Sequence, residues 1–389
     1  MAVVAATPEV QPSILPDQSS QEASIGARRM APEERIASLM DGLHSILEEA
    51  VESPSHWQVL LDASANLWRY SGGNVALLMM QMAQRGTDEP TLVAGYKEWE
   101  RHGRTVLRSE QALWVIAPRT ARVQQMLLPD GTRQRIPLGD TLPKGAIDEG
   151  KKTLITGWRG QAVFDVSQTQ GAPLLVPRPR DAPTLDVRHL WESLARVART
   201  HGFSIQVTDA QFGLTSGFTD FAQRQIQVGG WLNAEERVAV LAHELGHVLL
   251  HGPDDHVGKL YGSSVDHRGL AEVEAESVAY TVLKAHGIDR GPQSASYLSG
   301  WADAVIEAEH SAAARDSSSK QPASRVDIAK SVLGRVTAAS KDILEVTNPP
   351  GFGGKVPAAD VSPSVRGQDS YVGLQQPGEP TRGLEISGP

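Results

Sequence analysis

The chain has 389 residues, 40% of them apolar and 21% charged, with a formal net charge of −9. That length favours two or three domains, and the composition excludes collagen-like and wholly disordered chains. The acidic balance excludes a uniformly basic nucleic-acid coat, and the absence of cysteine removes disulfide scaffolds, thiolate metal sites and thiol nucleophiles, so any metal must sit on His and carboxylate.

The first 30 residues are rich in Ala, Pro, Gln and Ser and read as a disordered arm. They lack the basic and apolar regions of a secretory signal, and no later stretch approaches the roughly 18 apolar residues of a membrane span. A cytoplasmic protein with no membrane partner is expected. From Glu33 to Glu52, Ile36, Leu39, Met40, Leu43, Ile46 and Leu47 recur at spacings of three and four, which predicts an amphipathic helix. Two further helices are predicted over 55–68 and 74–84, then a helical turn over 96–102 that ends at Gly103. The texture then changes to strands at 112–116, 123–128, 132–136 and 161–166. Asp130-Gly131 supplies the tight turn of a hairpin. Pro173, Pro177, Pro179 and Pro183 mark an extended spacer, which places the domain boundary at 176–185.

The second half opens with a helix over 186–200 and strands over 203–207 and 225–228. Asn233 as N-cap, Glu236 three residues later and Gly252-Pro253 beyond delimit a helix with clear start and stop signals. Further helices are predicted over 270–285 and 295–310, followed by an accessory helical segment over 311–346. The tail, 347–389, is so rich in Pro and Gly that it is expected to be disordered.

Inside the delimited helix lies His243-Glu244-Leu245-Gly246-His247, the pattern HExxH. Residues four apart share a helix face, so two imidazoles can converge on one Zn²⁺, while Glu244 projects beside them as a catalytic general base toward water. Val238, Leu241, Ala242, Leu245, Val248 and Leu249 mark the helix as buried rather than solvated. A catalytic zinc needs a third protein ligand. His251 lies one further turn along the axis, out of reach of a metal bridging the first two. Glu272 and Glu276 on the next helix share a face, so one can ligate while the other fixes the tautomer of a ligand imidazole. Glu274 points away from both and is expected to face solvent.

The segments AHELGHVLLHG at Ala242 to Gly252 and EVEAESVAY at Glu272 to Tyr280 resemble the ImmA/IrrE-type mini-gluzincin peptidases, over roughly residues 186–310. The resemblance implies a zincin-like zinc metallopeptidase domain with His243, His247 and Glu272 as metal ligands, Glu276 orienting an imidazole, and a protein or peptide as substrate.

Tyr70-Ser71-Gly72-Gly73-Asn74, Leu92-Val93-Ala94-Gly95-Tyr96 with Trp99, Gly103-Arg104 and the segment Val163 to Gly171 resemble the single-stranded-DNA-binding domain of ArdC-type plasmid antirestriction proteins, over about 31–175. The family's Lys-Gly-Glu-Lys turn reads Arg108-Ser109-Glu110-Gln111 here. The resemblance implies single-stranded DNA as partner, with Tyr70, Asn74, Trp99, Arg104 and Arg108 as contacts. Residues 95–135 carry a local charge of +4, against −13 for the rest of the chain. Cations beside flat rings suit sequence-independent single-strand binding. A buried Trp is the ordinary case, however, so Trp99 and Trp114 fit a core as well. The expected fold is therefore α+β: a helical and β-hairpin DNA-binding domain followed by an HExxH domain, between disordered termini. The alternative function is a regulatory zinc metallopeptidase acting on a protein such as a repressor.

Overall fold

The computed structural model describes residues 30–347 apart from 53, 88, 173, 175–186, 210–214, 256–265 and 290–323. Helix α1 (Pro32–Glu52) buries the stripe Leu39, Leu43, Ile46 and Leu47, the face that its three-and-four spacing set apart. That face packs on α2 (Pro54–Asn66), which contributes Trp57, Leu60 and Leu61, and on α3 (Gly72–Gln84), which contributes Val75, Leu77 and Leu78. After the two-residue strand β1 (Val93–Ala94) and the short α4 (Tyr96–Arg101), strand β2 (Arg104–Val106) pairs with β6 (Thr169–Gly171).

The centre of the first half is a long antiparallel pair, β3 (Leu113–Leu127) and β5 (Ile147–Asp165), extended by β1 and by β4 (Arg133–Pro137) in the order β1-β5-β3-β4. The sequence divides β3 into two strands, whereas the structure has one. From Pro118 to Arg122 the pair leaves the helices and forms an arm wetted on both faces, so its side chains do not alternate although its backbone stays paired with β5. Two register shifts, between Arg119 and Thr120 and between Gln125 and Met126, bend this arm. Gly150, at φ +92, takes the left-handed conformation that the second irregularity requires.

In the second half, α5 (Val187–Thr200) and α6 (Ala234–Leu250) pack together. Beside them lies a three-stranded sheet in which β9 (Gln225–Gly229) pairs in parallel with β7 (Ser204–Thr208) and antiparallel with β8 (Gly217–Asp220). Strand β8 is a four-residue polar edge that periodicity does not reveal. Helix α7 (Asp266–Ala285) lies along α6, and α8 (Arg325–Thr347) covers both.

The two halves share one continuous cluster of buried side chains running from Leu39 to Leu344. Helix α2 packs on α7, and α8 packs on α1 and α3. Polar bonds cross the same interface: the Trp57 indole donates to Ser277 Oγ at 3.3 Å, the Tyr280 hydroxyl to Asp62 at 2.6 Å, and the Gly72 amide to Thr337 Oγ1 at 3.1 Å. The expected linker at 176–185 and helix at 295–310 lie outside the described residues, as do the two termini beyond Met30 and Thr347.

Candidate metal centre

Helix α6 begins with the reciprocal bonds its sequence announces. Asn233 Oδ1 accepts from the Glu236 amide at 3.0 Å, and the Asn233 amide donates to Glu236 Oε2 at 2.9 Å. More than three turns on, the helix meets α7 at Gly246, where an added Cβ would lie 2.7 Å from Ala275 Cα. This close approach of backbones brings the acidic face of α7 against the two histidines.

Nε2 of His243 and Nε2 of His247 lie 3.2 Å apart. Glu272 reaches both, with Oε2 at 3.3 Å from His243 Nε2 and Oε1 at 3.7 Å from His247 Nε2. One ligand atom from each of the three residues lies within 4.8 Å of the others. Two imidazole nitrogens and one carboxylate oxygen converging on a point form a nitrogen and oxygen donor set that suits a divalent cation. Glu272 remains 41% exposed, so the point is open to solvent on one side.

Around this trio the ring orientations are fixed. His243 Nδ1 lies 3.2 Å from Glu276 Oε2. Burial works against a charge on His243, but the bonds to Glu272 and Glu276 and the nearby Glu244 charge outweigh it and raise its pKa to about 10. His247 is driven down to about 3 by burial and by the charges of His243 and His251. Glu244 is buried beside them, and Thr219 on β8 donates its hydroxyl to Oε2 at 2.7 Å. Burial raises the Glu244 pKa above the usual carboxylate range, against the lowering effect of His243 and Thr219. A carboxyl tuned upward and held by one oxygen suits proton transfer at neutral pH.

Glu274 corrects an expectation. It does not face solvent: its side chain is 0% exposed, bonded to His251 Nε2 at 2.9 Å and to Arg335 Nε at 2.8 Å. Helix α8 covers the side of α7 that a two-helix picture leaves open. The roles of Thr219 and Arg335 are also unmarked by motif spacing, since each comes from an element outside the HExxH pair.

In the first half, four of the five expected DNA contacts make hydrogen bonds inside the fold. Trp99 is 0% exposed and its indole donates to the Phe164 carbonyl at 3.0 Å, leaving no face on which a base can stack. Tyr70 is buried with its hydroxyl donating to the Val93 carbonyl at 3.0 Å. Asn74 is buried and bonds both backbone groups of Ile116, which fastens α3 to β3. Arg104 spends its guanidinium on Thr169 and on the Ala172 carbonyl. Arg108 is exposed. The exposed cations concentrate instead on the arm, at Arg119, Arg122, Lys151, Lys152 and Arg159, with Trp158 49% exposed among them.

Among known proteins, residues 35–138 match the family model described as the N-terminal domain of anti-restriction factor ArdC, in agreement with the resemblance read from the motifs. Among solved structures, the chain is similar to the metal-free crystal structure of antirestriction ArdC protein from R388 plasmid, with 15% identity and a TM-score of 0.39 over 79% of this chain and 98% of that one. The Mn(II)-bound structure of that protein gives 15% identity and a TM-score of 0.38 over 78% and 97%. A search of curated proteins finds no match. Among the described residues no helix is long and apolar enough to cross a membrane.

Proposed function

We propose that the chain is a single-stranded-DNA-binding protein with a zinc-dependent peptidase-like domain, acting in antirestriction or for a mobile element. The observation that carries the peptidase reading is the placement of a buried, upward-tuned Glu244 next to the convergent His243, His247 and Glu272. These three residues would hold the metal, and a zinc ion there supplies Lewis acidity toward a peptide carbonyl and toward water. Glu244 takes the proton from the attacking water and returns it to the leaving amine, while the Thr219 hydroxyl holds the other carboxylate oxygen. Glu276 holds His243 in the tautomer that presents Nε2.

The match of residues 35–138 to the N-terminal domain of anti-restriction factor ArdC supports the antirestriction role. The interface is assigned to the arm, where Arg119 and Arg159 flank the exposed Trp158 and Arg122, Lys151 and Lys152 lie farther along the same strand pair, with Arg108 and Tyr96 as further exposed groups. Such a surface binds phosphates without reading sequence, and its affinity falls steeply with salt.

Two assays on the full chain test the reading. Metal content and peptide hydrolysis are measured for the wild type and Glu244→Gln, which should keep zinc and lose hydrolysis. Fluorescence anisotropy with labelled single- and double-stranded oligonucleotides is measured for the wild type and for Arg119→Glu with Lys152→Glu, which should lose most single-strand affinity. Hydrolysis unaffected by Glu244→Gln overturns the mechanism. Cleavage of a repressor-like protein by a chain that binds no DNA favours the regulatory alternative.

A further inference from the structure

Behind the metal centre lies a buried line of polar groups that the HExxH chemistry does not use. His247 Nδ1 faces His251 Nδ1 at 2.9 Å. On the far side of its ring, His251 Nε2 meets Glu274 Oε2 at 2.9 Å. The other oxygen of Glu274 accepts from Arg335 Nε at 2.8 Å, and the same guanidinium bonds both oxygens of Asp255 at 3.1 Å and the Leu250 carbonyl at the end of α6 at 2.6 Å. His251 and Glu274 are almost wholly enclosed, at 1% and 0% side-chain exposure.

A contact between two imidazole nitrogens contains one proton, and its position decides what the opposite nitrogens can do. If the proton sits on His251 Nδ1, a neutral His247 carries its own proton on Nε2 and cannot ligate. If it sits on His247 Nδ1, then His247 Nε2 is a bare lone pair directed at the site, His251 Nδ1 is an acceptor, and His251 must carry its proton on Nε2. That proton points at Glu274. The oxygen of Glu274 that accepts this proton is therefore the group that selects the ligating arrangement, and Arg335, bonded to the other oxygen, holds the side chain in place. We propose that Arg335, Glu274 and His251 form a proton-ordered chain that sets the tautomer of His247, with Arg335 as a positioning residue for the metal centre on a helix outside the HExxH pair. The inference rests on the reading of His247 as a metal ligand.

Zinc affinity of the full chain, measured by competition with a chromophoric chelator, tests the chain. Glu274→Gln keeps the shape, but its amide can donate to His251 and reverse the proton order. This variant should bind zinc about 10–100-fold more weakly. His251→Phe, which offers His247 no acceptor, should lose a similar factor. His251→Gln restores an accepting oxygen and should recover part of the loss, a rescue that a packing role alone does not give. Arg335→Lys, which keeps the charge, should lose less than Arg335→Met. In the zinc-loaded wild type, long-range ¹H–¹⁵N correlation spectra should show His251 protonated at Nε2 and bare at Nδ1. Wild-type affinity in both Glu274→Gln and His251→Phe, or a His251 ring protonated at Nδ1 in the zinc-loaded protein, overturns the chain while leaving the metal centre standing. A wild type that binds no zinc overturns the metal reading and this inference with it.

Discussion

Nδ1 of His243 lies 3.2 Å from Oε2 of Glu276, while Nε2 of the same ring lies 3.3 Å from Oε2 of Glu272. The two glutamates sit one helical turn apart and hold opposite edges of one imidazole. Only Glu272 also reaches His247. Glu272→Ala should therefore remove most zinc affinity, whereas Glu276→Ala should weaken it by about 10–100-fold. Chelator competition on the two variants decides the assignment, and the opposite ranking would make Glu276 the ligand.

Gly246→Val should separate α6 from α7. A Cβ at this position would lie 2.7 Å from Ala275 Cα, a backbone atom that cannot swing aside. Overpacking of this kind costs about 1–3 kcal/mol. Because the same contact brings Glu272 toward the histidines, zinc affinity should fall together with thermal stability. A variant with wild-type melting and zinc binding would show that the helices do not need their close approach.

His286 gives the fold a pH dependence of its own. Burial, with a smaller contribution from the His189 charge, holds it down to about 4, against an ordinary value of 6.5. Between those values the unfolded chain binds the proton that the folded chain refuses, so stability is fully present above pH 6.5 and is lost as pH falls toward 4. The loss amounts to about 3 kcal/mol at most. His286 Nε2 lies 2.8 Å from Thr347 Oγ1, and His286→Gln retains a partner for that hydroxyl without titrating. The melting temperature of this variant should fall less than that of the wild type between pH 7 and pH 4.5, and equal falls would remove His286 as a cause.

The shared core predicts a single unfolding transition. Trp57, Leu60 and Leu77 of the first half and Tyr280, Val336 and Ile343 of the second belong to one buried cluster. Thermal unfolding followed by Trp fluorescence and by far-UV circular dichroism should coincide. Cutting the chain in the 176–185 segment should lower the melting temperature of both fragments. Two separated transitions in the full chain would mean that the interface between α2 and α7 contributes little.

The candidate metal site was legible in the sequence because its residues are local: His243, Glu244 and His247 share one helix, and Glu272 and Glu276 share the next. Helices α1, α3, α5 and α6 were equally legible, since one buried face leaves a three-and-four period and Asn233 with Glu236 marks a start. What could not be read depends on elements distant in the chain. Glu274 looked solvated because nothing local indicates that Arg335 arrives from α8. Trp99 and Asn74 looked like contacts for a ligand, whereas both bond backbone carbonyls inside the domain. Strand β3 was read as two strands, 112–116 and 123–128, because the segment between them, wetted on both faces, loses its alternation, and β8, which delivers Thr219 to Glu244, is too short and polar to leave any pattern.

The bond from Arg335 to Glu274 spans 61 residues, and the one from Arg335 to the Leu250 carbonyl spans 85. A ribosome therefore releases the HExxH helix long before the helix that fastens it. Contacts this distant in sequence form late in folding, because the intervening chain must first be ordered. Helix α8 must also settle between α1, α3 and α7, surfaces drawn from both halves of the chain. On the proposed reading, tight metal loading waits until residues 325–347 have been made, and a chain truncated before Arg325 lacks the helix that carries Arg335.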